Sequence, residues 1–204
     1  VIRVRQIESR ANIEFQIGTL FYELLDLVHA QGELINHGIL LRGGITIGDV
    51  YIDKQTIFGP AFIAAYDIES KLANYPRIVI SPELIREMKS NSLLKASHHD
   101  FEQELEYIRG LAARGDDGIW FVDYCGAVAR EVDEPEYYVS FLENHKKLIV
   151  ENGMSNRELT SVSAKYMWLA NYHNKCVKST YIPEFIEDKN LLISENELKL
   201  LQSI

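Results

Sequence analysis

The sequence lacks any apolar run approaching the roughly 18 residues that cross a bilayer. It has no secretory signal either: it opens on Val1-Ile2-Arg3-Val4, which reads as a strand already under way, and it has no initiator methionine. A natural segment is therefore expected upstream. Cysteine is scarce. Cys125 and Cys176 stand far apart with no CxxC spacing, which argues against a disulfide framework or a zinc site and fits a reducing cytoplasm. Positive charge is also short, with 21 Lys and Arg against 30 Asp and Glu and a formal charge of -9. That balance disfavours nucleic acid and anionic membrane as partners, since a polyanion needs a basic surface. A small polyanion such as a nucleotide stays open, because local N–H groups, a few cations and bound metal suffice to hold one.

What is present reads as a globular chain of 204 residues, 47% apolar and 25% charged, enough for a substantial core. There is no internal repeat or low-complexity segment. A loose alternation over 1–8 predicts a strand, and helical spacing of Ile13, Ile17, Leu20, Leu24, Val28 and Ile35 predicts a helix from Ala11 to His37, stopped by Gly38. Ile39–Asp53 and Thr56–Phe58 predict two strands around a polar turn, and Gly59-Pro60 starts a helix to about Leu72. A strand over Arg77–Ser81 and a helix opened by Pro82 follow. This order is a split βαβ, ferredoxin-like pattern: an α/β (α+β) fold with helices on one face of an antiparallel sheet. Beyond it come a polar loop at Ser90–Glu102, a helix over Glu102–Arg114 and a strand over Ile119–Tyr124. Helices over Glu136–Glu151 and Glu158–Lys178 close the pattern. The organisation expected is a core over 1–89 and a helical extension over 90–204.

Leu41 to Ser81 reads LRGGITIGDVYIDKQTIFGPAFIAAYDIESKLANYPRIVIS. It resembles the second half of a class III nucleotidyl cyclase catalytic domain, in which an R-x-G-I-x-x-G-x-V strand leads through a hairpin into G-x-x-V-N-x-A-x-R-x-E-S and a strand ending in Ser. Arg42-Gly43-Gly44-Ile45 with Gly48 and Val50, then Gly59 through Ser70, then Ile78–Ser81, carry the match. Two departures stand out: Ile63 falls where the family has its transition-state Asn, and Asp67 where it has Arg. The variant GPAFIAAY with YPRIVIS, the DGIWF strand and KYMWLANYHN look instead like the pyrimidine cyclases of Pycsar antiphage systems. That resemblance implies conversion of UTP, or CTP, to 3′,5′-cyclic UMP or cyclic CMP and pyrophosphate, as an alarm signal in the cytoplasm.

The resemblance further implies a homodimer with composite sites and a divalent cofactor, Mn2+ or Mg2+, whose two Asp ligands lie upstream of Val1. Under a second alignment Asp49, in Thr46-Ile47-Gly48-Asp49, is the metal ligand. The catalytic candidates are Arg42, Lys54 and Asp67; the nucleotide-binding candidates are Gly43, Gly44, Phe58 and Tyr66. Each has a plainer reading beside it. The glycines admit a triphosphate or mark a strand bulge, and Arg42 and Lys54 meet phosphate or solvent. Tyr66 faces the base or the core, and Asp67 a base edge or a surface ion pair. His98-His99-Asp100 has metal-ligand types but no third ligand at helical spacing and reads as loop. Tyr166, Trp168, Tyr172 and His173 read as an aromatic packing face. The rival function is a catalytically inactive cyclase-homology domain that senses nucleotide or dimerises. A diguanylate cyclase or polymerase-palm relative would need a G-G-D-E-F-like hairpin, which the sequence lacks.

Overall fold

The computed structural model describes residues 1–8, 14, 16–180 and 190–202. They form two compact units, one over Val1–Leu27, Gly43–Leu72 and Ile78–Val122, the other over Val28–Arg42, Ala73–Arg77 and Asp123–Ile204. The class is α+β, with a small mixed sheet and, among the described residues, eight helices. None of these helices is long and apolar enough to cross a membrane.

Helix α1 (Thr19–Asn36) is followed by β1 (Gly43–Ile45), β2 (Tyr51–Ile52), β3 (Ile57–Phe58), α2 (Pro60–Lys71), β4 (Ile78–Ile80) and α3 (Pro82–Ser90). A 3₁₀ turn (Ser92–Leu94), α4 (Phe101–Leu111), β5 (Ala112–Arg114) and β6 (Trp120–Val122) complete the first unit. Its sheet runs β1-β4-β6-β5, and β2 with β3 makes a separate antiparallel hairpin. Strands β1 and β4 are parallel, with Gly44 opposite Val79, so the sheet is mixed rather than wholly antiparallel. The hairpin and α2 together act as the long crossover that parallel neighbours require. Strand β4 is buried along its length, and apolar Ile78-Val79-Ile80 suits that central place. Ser81 ends the strand and caps α3, its hydroxyl accepting the Leu84 N–H while Pro82 takes the first helical position.

Four sequence expectations are corrected in this unit. Residues 1–6 have no regular structure: Arg3 and Arg5 pair with Glu23 and Asp26 of α1, so charge rather than a strand ladder docks the segment. Helix α1 begins at Thr19; positions 11–13 and 15 of the longer predicted helix lie outside the described residues. The stretch 90–102, expected as loop, buries Leu94 and Ala96 and contains Asp100, which with Gln103 forms a capping box on α4. The predicted helix over Glu102–Arg114 ends at Leu111, and its last three residues pair with β6 as β5.

The second unit is helical. After α5 (Tyr124–Glu131), α6 (Pro135–Ser155) and α7 (Thr160–Ser179) pack along each other, and α8 (Glu195–Leu201) closes over both. Ile149, Leu169, Ala170, Ile193 and Leu201 form its core. Burying each of the larger side chains contributes about 1.5–3 kcal/mol. No apolar spacing in the sequence marks helix α5; Asp123 starts it by accepting the Gly126 N–H.

Candidate functional site

In the first unit the cyclase-like stretch folds as one strand–hairpin–helix–strand module. A Cβ on Gly43 would lie 3.6 Å from Ile78, an ordinary contact, so packing does not demand glycine there. On Gly44 it would meet Ile68 Cγ2 at 2.6 Å and Ala65 O at 2.8 Å. Gly44 is thus where α2 rests on β1, a use that neither a phosphate contact nor a bulge describes. Gly59 has φ 139°, and a Cβ there would meet Asp49 O at 2.6 Å, so the base of the hairpin closes onto the start of α2 only with glycine.

Asp49 is exposed, its carbonyl accepting the Ala61 N–H at 3.2 Å. Arg42 is exposed immediately before β1, and Lys54 is exposed in the hairpin turn. Beside Lys54, the Asp53 carboxylate accepts the Gln55 and Thr56 N–H groups and the Tyr51 hydroxyl. The Gln55 N–H leads the causes that hold its pKa below the usual carboxylate value. Asp53 therefore builds the turn. The Tyr51 and Phe58 rings lie 5.0 Å apart across the hairpin, both exposed. On α2, Ile63 and Tyr66 are exposed, and Asp67 pairs with Lys71 at 2.9 Å, a surface contact one helical turn apart. His99 belongs to a structural node: its Nδ1 lies 3.0 Å from the buried Glu104 carboxylate, which also accepts the Gly18 and Ala96 N–H groups.

The second unit holds a cluster that sequence spacing concealed. Cys125 on α5, His145 on α6 and His173 on α7 are fully buried or nearly so, and one ligand atom from each lies within 4.8 Å of the others. The two Nδ1 atoms are 3.2 Å apart, and Cys125 Sγ is 3.8 Å from His145 Nδ1. Cys176, one turn beyond His173, is also buried but does not belong to that group. The outer ring nitrogens are engaged as well: His173 Nε2 donates to Leu191 O at 2.8 Å, and His145 Nε2 lies 3.1 Å from the Tyr124 hydroxyl. Tyr172, stacked on Trp168, donates its hydroxyl to Asp123 and accepts the Cys125 N–H, orienting the start of α5.

Leu191 O can only accept, which fixes the proton of neutral His173 on Nε2. His145 Nδ1–H then donates to His173 Nδ1, and Tyr124 O–H donates to His145 Nε2. Burial, then the neighbouring His173, holds His145 well below the ordinary histidine range, and burial pulls His173 down to about 4. Burial likewise pushes the Cys125 thiol well up, and the neighbouring Cys176 adds to the shift. The cluster is a neutral relay whose inner lone pairs and thiols face one another. No spacing in the sequence marks the cluster, because its three members come from three different helices.

No family model, curated protein or solved structure matches the chain.

Proposed function

We propose that the chain is a pyrimidine nucleotide cyclase that converts UTP, or CTP, to the 3′,5′-cyclic nucleotide and pyrophosphate and works as a homodimer. The observation that carries this reading is the hairpin of 51–58. It stands apart from the sheet and exposes Tyr51 and Phe58, while Ile63 and Tyr66 are exposed on the helix that follows. Exposed apolar residues concentrated in one module favour a docking surface, and a twofold dimer would give each subunit's module a partner.

On this reading Phe58 and Tyr66 offer ring faces to the small pyrimidine, Gly43 lines the approach of the triphosphate, and Arg42 and Lys54 offset its charge. Mn2+ or Mg2+, when bound, would assist departure of pyrophosphate. The reaction is intramolecular: the ribose 3′-oxygen attacks the α-phosphorus, the bond to the β-phosphate oxygen breaks, and the 3′-hydroxyl proton leaves to solvent or a base. Positioning accounts for most of the rate. A second reading, an inactive homology domain that senses nucleotide or dimerises, draws on Asp67. This residue stands where the family has Arg and is paired with Lys71.

The test is incubation of the full-length protein with UTP, CTP, ATP and GTP in turn, with Mn2+, and identification of products by mass spectrometry. Cyclic UMP or cyclic CMP alone is expected. Cyclic AMP or cyclic GMP would remove the pyrimidine assignment, and no product from an intact dimer would favour the inactive domain.

A further inference from the structure

We infer that Cys125, His145 and His173 form a structural zinc site in the helical unit, with the buried Cys176, one helical turn beyond His173, turning in as fourth ligand when the ion binds, separate from any Mg2+ or Mn2+ chemistry at a nucleotide. The distances carry the argument. Tetrahedral zinc with its usual bond lengths to imidazole and thiolate places two ligand nitrogens about 3.3 Å apart and a sulfur about 3.6 Å from a nitrogen. The cluster has 3.2 Å between the two Nδ1 atoms and 3.8 Å between Cys125 Sγ and His145 Nδ1. Little movement of these three is needed to admit the ion between them, whereas Cys176, outside their group, has to turn in.

Ligand chemistry selects the metal. Two soft thiolates and two imidazoles suit zinc, whereas Mg2+ and Mn2+ prefer carboxylate and water oxygens. Charge also balances: one Zn2+ displacing the protons of Cys125 and Cys176 leaves a neutral centre, which a site this deeply buried requires. The outer partners are in place. His173 keeps Nε2–H on Leu191 O, and His145 changes tautomer so that Nε2–H donates to the Tyr124 oxygen while Nδ1 turns to the ion. Since Cys125, His145 and His173 are shut away from water, zinc there ties α5, α6 and α7 together instead of activating a water molecule.

The full-length protein is refolded with Co2+ as an optical probe and, separately, with Zn2+ for elemental analysis. About one metal per chain is expected, with the intense visible bands of tetrahedral Co2+, a thiolate-to-cobalt charge-transfer band, and bleaching of both by Zn2+. A Cys125→Ser, His173→Asn double variant should lose the metal, and a His37→Asn control, at an exposed histidine, should keep it. The wild-type cobalt spectrum stands alone should the double variant not fold. Wild-type protein with native helicity that retains neither ion would overturn the site and leave the neutral relay. Cobalt bands without thiolate charge transfer would overturn the ligand set.

Discussion

Each unit buries a polar node, and the two are made in opposite ways. In the first, the single Glu104 carboxylate is surrounded by donors: the Gly18 and Ala96 N–H groups and the His99 ring. Its oxygens are fully used within the chain. In the second, Cys125, His145 and His173 are neutral groups that each carry a proton as well as a lone pair, and they converge on one another. A buried hard anion saturated by backbone N–H groups has no capacity left for a ligand and serves the fold. Soft donors whose lone pairs meet at a point keep that capacity.

The largest effect that sharpens this contrast is expected at Glu104. Glu104→Ala strips two buried backbone N–H groups of their acceptor and should cost about 4 kcal/mol, read as a lower urea midpoint. A loss below about 1 kcal/mol would mean water replaces the carboxylate and the node is not structural.

Next in size is an acid effect on the other node. His173 has a folded pKa of about 4 against 6.5 for the free group. Between these values the unfolded chain binds the extra proton, so stability is full above about pH 6.5 and falls as the pH drops toward 4. The shift corresponds to roughly 3 kcal/mol for protein kept free of metal. Urea unfolding followed from pH 7 to 4 checks it, and a flat profile would show that His173 is not held neutral.

The smallest effect is expected at Tyr172→Phe, which leaves the Cys125 N–H without its partner at 2.9 Å and the Asp123 carboxylate with one donor fewer. The cost should be about 1–2 kcal/mol, with the helices retained by circular dichroism. A cost as large as that at Glu104 would erase the distinction between a node held by one carboxylate and one shared among several side chains.

Local chemistry made much of the fold legible. Pro60 and Pro82 mark the starts of α2 and α3, and the apolar spacing along α1, α6 and α7 follows their buried faces. Where pattern and pairing part, the sequence misleads. Ala112–Arg114 continues a helical pattern but is drawn into β5 by Trp120–Val122, a tertiary choice that propensity does not contain. Residues 1–8 alternate like a strand yet are held through arginines. The cyclase-like residues are legible as an ordered string, and the structure adds that Gly44 is a packing glycine and Asp53 a turn residue. The buried cluster was hidden because its ligands come from three helices. Only folding makes Cys125 a neighbour of His145 and His173, and scarce, widely spaced cysteines gave no hint of it.

The Glu104 node also bears on the order of events in folding. Gly18 lies 86 positions before Glu104 in the chain, so this hydrogen bond waits on the closure of a long loop. Helix α4 and its Asp100 cap form from neighbours and need no such closure. The carboxylate leaves water fully only once the distant Gly18 backbone has arrived, and we expect that step to follow the folding barrier. Damage at Glu104 should therefore appear mainly as faster unfolding, with the refolding rate little changed.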